Sequence, residues 1–191
     1  MSIKKISRIS LFAAFIAVSV YAIPPIMVPV IQVPFTLQTL FIILAGYLFT
    51  PLDAFLTVFI YVLLGAFGLP VYSGARGGLS VLLGPTGGFL MLFPFVSLGI
   101  SVFKSKTKNM AYNLSIGFLI GIFGLYIFAN IWLSLSVSIS YMSSLLSLLP
   151  LLIFDFIKLF MAYTIYLKIP KDLFNDEWLL IAVLKIWYNF N

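Results

Sequence analysis

Asp155 and Lys158 stand three positions apart in the run Leu148-Leu-Pro-Leu-Leu-Ile-Phe-Asp155-Phe-Ile-Lys158-Leu-Phe-Met-Ala-Tyr-Thr-Ile-Tyr166, in a chain where only 8% of residues are charged. On a helix the two share one face, and an ionisable side chain at a bilayer centre costs roughly 2.5 to 3.5 kcal/mol on insertion scales. Such groups need a compensating role. An ionised carboxylate only accepts hydrogen bonds and an ammonium only donates them, so together they can grip a ligand that presents both donors and an acceptor. The same pair can instead lock two helices, or Asp155 can carry protons in an ion-coupled secondary transporter of a small anionic metabolite.

Other chemistries lack their residues. The 191 residues include no His and no Cys, which removes the commonest general base, thiolate nucleophiles, disulfides and the usual transition-metal ligands. No Gly-Lys-Ser or Gly-Lys-Thr occurs, so there is no P-loop for nucleotide hydrolysis. Ser and Thr abound without a visible base. Neither an enzyme nor a cofactor is expected.

The segment Gly68 to Gly88 holds seven of the thirteen glycines and Arg76. Irregular backbone at membrane level is tolerated only where protein or a watery cavity shields it, so this loop is expected to line a cavity. The Arg76 guanidinium offers paired donors to a carboxylate. Ile23 to Pro34 carries four prolines, cannot form a regular helix, and is expected to pack as a lid.

The elements that must hold these groups are transmembrane helices. A chain that is 63% hydrophobic, with mean hydropathy +1.19, has too little polar surface for a soluble globule. The apolar runs predict an all-α integral membrane protein, a six-helix bundle with lipid around it. The predicted spans are Ile9–Ile23, Phe35–Phe49, Leu52–Phe67, Gly84–Phe103, Tyr112–Val137 and Leu145–Leu167. Thr50, Pro51 and Asp53 predict a capping box at the third. The first segment also resembles a signal peptide, ending at Val20-Tyr21-Ala22.

Basic residues follow the positive-inside rule. With both termini cytoplasmic, Lys4, Lys5, Arg8, Lys104, Lys106, Lys108, Lys168 and Lys171 fall inside and Arg76 alone falls in an outer loop. The net charge of +6 therefore records topology in a cell membrane, not nucleic-acid binding. Residues 1–171 form the membrane domain, and 172–191 form a tail too short in its apolar run to cross. Gly117, Gly121 and Gly124 read as a helix-packing stripe. Ala13, Ala14 and Ala17 give the first helix a small face for internal packing or for a partner. Tyr126 reads equally as an interfacial aromatic or as a surface on which a ligand stacks.

Val33-Pro-Phe-Thr-Leu-Gln-Thr39, Gly65-Ala-Phe-Gly-Leu-Pro-Val71, Gly77-Gly78, Gly84-Pro-Thr-Gly-Gly88, Tyr126 with Trp132-Leu133, and Asp155-Phe-Ile-Lys158 occur in that order. From about Ala13 to Lys168 the chain resembles the BioY family, biotin-binding S components of energy-coupling factor transporters. The resemblance implies a six-helix subunit that binds biotin from outside. It also implies partners, namely a coupling transmembrane subunit and paired ATPases, toward which the subunit topples to release its ligand. Small residues on the first helix dock such subunits to the coupling protein, a role that would fall to Ala13 and Ala17. Carried over by the Asp-x-x-Lys match, Asp155 accepts from the ureido ring and Lys158 donates to its carbonyl, while Arg76 is the candidate for the ligand carboxylate. Gln38 and Thr39 complete the polar shell and Tyr72 packs on the rings. If the sixth helix begins near Leu145, the pair lies about 15 to 20 Å along it. Phe154 and Asn130 depart from the family pattern, and Asn130 is a candidate further ligand contact.

Overall fold

The structure, a computed structural model, describes residues 3–22, 26–27, 34–105, 107 and 109–169. The tail 172–191, most of the proline-rich lid, and Lys106, Lys108 and Lys171 lie outside the described residues. The order is α1 (Ile3–Ala22), β1 (Ile26–Met27), β2 (Pro34–Phe35), α2 (Gln38–Leu48), α3 (Pro51–Ala66), α4 (Leu79–Leu83), α5 (Gly87–Phe103), α6 (Met110–Phe118), a π-helical turn (Leu119–Gly124), α7 (Leu125–Val137), α8 (Tyr141–Ser147) and α9 (Leu149–Lys168). Strands β1 and β2 pair antiparallel, Ile26 opposite Phe35.

A helix that is apolar all round belongs in a bundle interior, and α2 occupies that place. Leu40 and every residue from Ile42 to Tyr47 are buried. α2 packs on α5 and α9 and also touches α1 and α3, while α3 lies against α5 and α1, and α7 against α5. Close approach of the neighbours needs glycine. A Cβ on Gly46 would meet Ile100 of α5 at 2.7 Å, and one on Gly117 would overlap the Tyr47 hydroxyl. The helix-packing expectation for Gly117 is thus borne out by its contacts.

Met110–Val137 and Leu149–Lys168 are long and apolar enough to cross a membrane, and three shorter apolar helices, α2, α3 and α5, accompany them. The long Met110–Val137 helix is continuous but shifts register through the π turn. The run predicted as one sixth span instead divides at Leu148, which joins α8 to α9, and Pro150 sits in the first turn of α9 where its missing N–H is harmless. Asp155 therefore lies about 9 Å of helical rise beyond the start of α9, not 15 to 20 Å. The fourth span likewise begins at Gly87, since the preceding stretch forms α4 and a turn.

The capping box expected at Thr50 does not form. Thr50 is extended at the N-cap of α3 and its side chain caps nothing. Asp53 instead meets Lys5 of α1 at 2.6 Å, because a full ion pair outcompetes a neutral N–H donor. At the other end of the loop between α2 and α3 a second lysine takes charge of the helix terminus. The Lys104 ammonium, just past the end of α5, donates to the carbonyls of Gly46, Tyr47 and Phe49 at 3.1, 2.8 and 2.6 Å. These are carbonyls at the C-terminus of α2, where positive charge is favoured by the helix dipole. Burial pushes the Lys104 ammonium down to about 8.

Lys104→Met would remove the charged donor from all three carbonyls, leaving Ser101 on that of Phe49. A hydrogen bond to a charged group contributes roughly 1.5 to 3 kcal/mol, so the variant is expected to melt at lower temperature than the wild type in detergent, by circular dichroism or dye-based thermal unfolding.

Candidate functional site

All six residues singled out in sequence as ligand-binding line one cavity: Gln38 and Thr39 from α2, Tyr72 and Arg76 from the glycine-rich loop, and Asp155 and Lys158 from α9. The cavity holds about 630 Å³ of atom-free space, its open mouth included. Phe89, Leu90 and Phe93 of α5 with Leu125 of α7 supply an apolar wall, the mixture expected of a small-molecule site.

The floor is the buried ion pair. Lys158 Nζ lies 2.7 Å from Asp155 Oδ1, and the two side chains are 7% and 6% exposed. Thr39 Oγ1 donates to the same carboxylate oxygen at 3.0 Å and accepts from Lys158 Nζ at 3.1 Å. The Tyr126 hydroxyl donates to Asp155 Oδ2. Lys158 Nζ also stands 4.2 Å from the centroid of the Phe35 ring, over its face. Phe154, the departure beside Asp155, packs on the far side of this arrangement, its ring 5.0 Å from that of Phe35. It packs on the ring that lies against the Lys158 ammonium.

Gln38 is fixed on both sides, its Oε1 accepting from Thr36 Oγ1 at 2.9 Å and its amide donating to the Tyr61 hydroxyl. Tyr72 is buried with its hydroxyl on the Val62 carbonyl at 2.6 Å, and its ring fills the space where a Cβ on Gly65 would stand. Burial pushes the Tyr72 phenol up to about 12. Arg76 is at the rim, exposed as a residue, with its Nε donating to the Ser73 carbonyl at 3.2 Å.

Several expectations meet a different arrangement. Asn130 is fully buried but holds α8, its amide donating to the Tyr141 carbonyl at 2.9 Å and its oxygen accepting from Ser144 at 2.6 Å. It is absent from the cavity lining. Trp132 ties α7 to the loop through the Gly84 carbonyl at 2.9 Å. Ala13 and Ala17 are 0% and 8% exposed inside the core, so in this state they pack internally and present no surface to a partner. Ser7, Ser10, Ala14 and Ala22 are the small residues on the exposed side of α1.

Tyr126, Phe35 and Ser73 belong to the site without having been singled out for it. The sequence leaves Tyr126 between two readings because its direction depends on the π turn just before it. Among the described residues no cluster of three His, Cys, Asp or Glu could hold a metal ion.

The model of the BioY family matches residues 1–174. The chain belongs to the BioY family. It is similar to the probable biotin transporter BioY of Pyrococcus horikoshii, 34% identical over 83% of this chain and 91% of that one. The biotin transporter BioY of Thermotoga maritima is 34% identical over 88% of this chain and 96% of its own length. Among solved structures, the crystal structure at 2.1 Å of the S-component for biotin from an ECF-type ABC transporter superimposes with a TM-score of 0.81 at 31% identity, covering 86% of this chain and 89% of that one. These relatives are components of membrane transporters, and the apolar helices fit that setting.

A buried pair broken on one side leaves an uncompensated charge, at roughly 3 to 5 kcal/mol. Asp155→Leu and Lys158→Met are each expected to lower the melting temperature of the ligand-free protein, and the double variant to lose less than the sum of the two. A thermal double-mutant cycle in detergent measures the difference, and strict additivity would mean that the pair is not coupled.

Proposed function

We propose that this BioY-family chain is the substrate-capture subunit for biotin, taking the vitamin from outside the cell and handing it inward. The observation that carries this reading is the convergence of Asp155, Lys158, Thr39 and Tyr126 at the floor of one cavity whose rim bears Arg76. Biotin has two ureido N–H donors, a carbonyl acceptor, an apolar thioether ring and chain, and a terminal carboxylate. Asp155 accepts from the ureido N–H groups and Lys158 donates to the carbonyl. Thr39 and Gln38 hold the polar shell, Tyr72 and Phe89 give ring contact, and Arg76 receives the carboxylate at the mouth.

In this reading six helical spans, α1, α2, α3, α5, the α6–α7 helix and α9, cross the cell membrane with both termini on the cytoplasmic side. The glycine-rich loop then faces outward as the entry. Capture needs no hydrolysis, and inward delivery uses a coupling transmembrane subunit with paired ATPases. Docking to that subunit through Ala13 and Ala17 requires α1 to separate from the helices it packs on, whereas Ala14 and Ser10 are already accessible on its outer face. A proton-carrier role for Asp155 is less well supported. Its carboxylate is held by an ammonium and two hydroxyls, so three of its acceptor positions are engaged and protonating it would break up the cluster.

Protein purified in mild detergent from cells supplied with biotin is expected to carry biotin, detected by mass spectrometry after denaturation. Asp155→Asn and Lys158→Met are expected to abolish retention, and Arg76→Gln to weaken it about tenfold. A folded wild-type chain that carries and binds no biotin would sink the proposal.

A further inference from the structure

The loop that carries Arg76 holds a second polar group whose position no packing role explains. Tyr72 and Arg76 are bridged through their backbones at 2.9 and 3.3 Å, N–H to carbonyl in both directions. The intervening turn passes through the left-handed region at both Gly74, φ 73°, and Ala75, φ 55°. A non-glycine residue there is strained, so the turn is held by more than its own preference. Its anchors are the buried Tyr72 ring, the Tyr72 hydroxyl on the Val62 carbonyl, and the Arg76 Nε on the Ser73 carbonyl. Ser73 of this turn lines the cavity and is 9% exposed, and its hydroxyl is buried without a hydrogen-bond partner.

Buried hydroxyls are almost always paired, and an unpaired one in a structured turn calls for an explanation. Here Ser73 lines the cavity three positions from Arg76, which lines the same cavity and whose Nε is engaged on the Ser73 carbonyl, so the terminal guanidinium nitrogens are the ones left for a ligand. A hydroxyl and a guanidinium on one rigid turn form a receptor for a planar oxyanion: the hydroxyl donates to one oxygen and the guanidinium to the other.

We infer that Ser73 is the second donor to the ligand's carboxylate and makes the site selective for the free acid over neutral esters and amides of the same molecule. This rests on the biotin reading above and deepens it. A ligand whose acid is masked as an ester keeps its ureido contacts at Asp155 and Lys158, and its carbonyl oxygen can still accept from Arg76. The charge is gone, however, and the alkoxy oxygen is a poor acceptor, which leaves Ser73 Oγ unpaired, and an unpaired buried donor is a strong means of rejecting an analogue.

The test compares the dissociation constants of biotin and biotin methyl ester, by calorimetry on the purified full chain, for wild type, Ser73→Ala and Ser73→Thr. Wild type is expected to prefer the acid. Ser73→Ala should weaken biotin about tenfold while changing the ester less than about twofold, and Ser73→Thr should restore most of the preference. The ligand-free melting temperature of Ser73→Ala should not fall, since the lost hydroxyl had no partner in the fold. Unchanged biotin binding in Ser73→Ala, or equal losses for acid and ester, would overturn the Ser73 assignment and leave the biotin reading intact. A folded wild type that binds neither ligand would overturn the biotin reading itself.

Discussion

Two full charges 2.7 Å apart, each on a side chain less than a tenth exposed, impose conditions on everything around them. Mutual attraction alone does not offset removing both ions from water; the remaining lone pairs and protons need partners of good geometry. α2 supplies Thr39, which both donates to Asp155 and accepts from Lys158. The α6–α7 helix supplies Tyr126 to the other carboxylate oxygen, and the stretch before α2 supplies the Phe35 ring beneath the ammonium. Three separate parts of the chain thus have to arrive at one point in α9. The backbone features that look irregular along the way serve that arrival. The π turn at Leu119–Gly124 adds residue length within a continuous helix and rotates the turns beyond it, and Tyr126 stands two positions after it.

α2 is the element through which these demands are transmitted. Only eleven residues long, it holds the cavity-lining Gln38 and Thr39 in its first turn. At its other end, carbonyls of its last turns are gathered by Lys104, while Ser101 donates to the Phe49 carbonyl at 2.6 Å. A short helix surrounded on all sides has no water to satisfy its ends. Lysines therefore act at both ends for opposite reasons: Lys104 neutralises the C-terminal dipole, whereas Lys158 meets a side chain at the N-terminal end because backbone N–H groups there would repel it. Gly46 and Gly117 let α5 and α6 close on this helix, so the rigidity of the site traces back to packing far from the cavity.

The sequence made the fold class and the deep pair legible, since apolar runs and an isolated Asp-x-x-Lys are strong signals against an 8% charged background. Arg76 was readable as the lone cation of an outer glycine-rich loop, whereas Gln38, Thr39 and Tyr72 were readable only through motifs of a known family, because a lone Gln or Tyr in an apolar chain has many uses. The features that escaped depend on geometry that no short window contains. The register of Tyr126 is set by the π turn, the division of α8 from α9 at Leu148 is held by the link between Asn130 and Ser144, and the capping box at Thr50 lost to the pairing of Asp53 with Lys5. Ala13 and Ala17 show the same limit. Their spacing marks a small face but not which way that face points, and the helix turns it inward.

The way the polar groups of the site satisfy one another bears on how a ligand can be held there. An ionised carboxylate has about four acceptor positions, and Asp155 uses three of them on Lys158, Thr39 and Tyr126. The ammonium has three donors, two of them spent on Asp155 and Thr39. The floor is therefore nearly saturated before any ligand arrives, and a ureido group entering it exchanges hydrogen bonds more than it adds them. Such exchange discriminates strongly by shape and donor pattern, because a wrong head group strands charges in low dielectric, but its net yield of affinity is small. The rim differs, with donors on Arg76 and Ser73 that the protein itself does not use. In the proposed pose, selectivity for the ring system is thus expected to reside at the floor, and much of the polar contribution to affinity at the mouth, where the carboxylate would meet donors that the fold leaves unused.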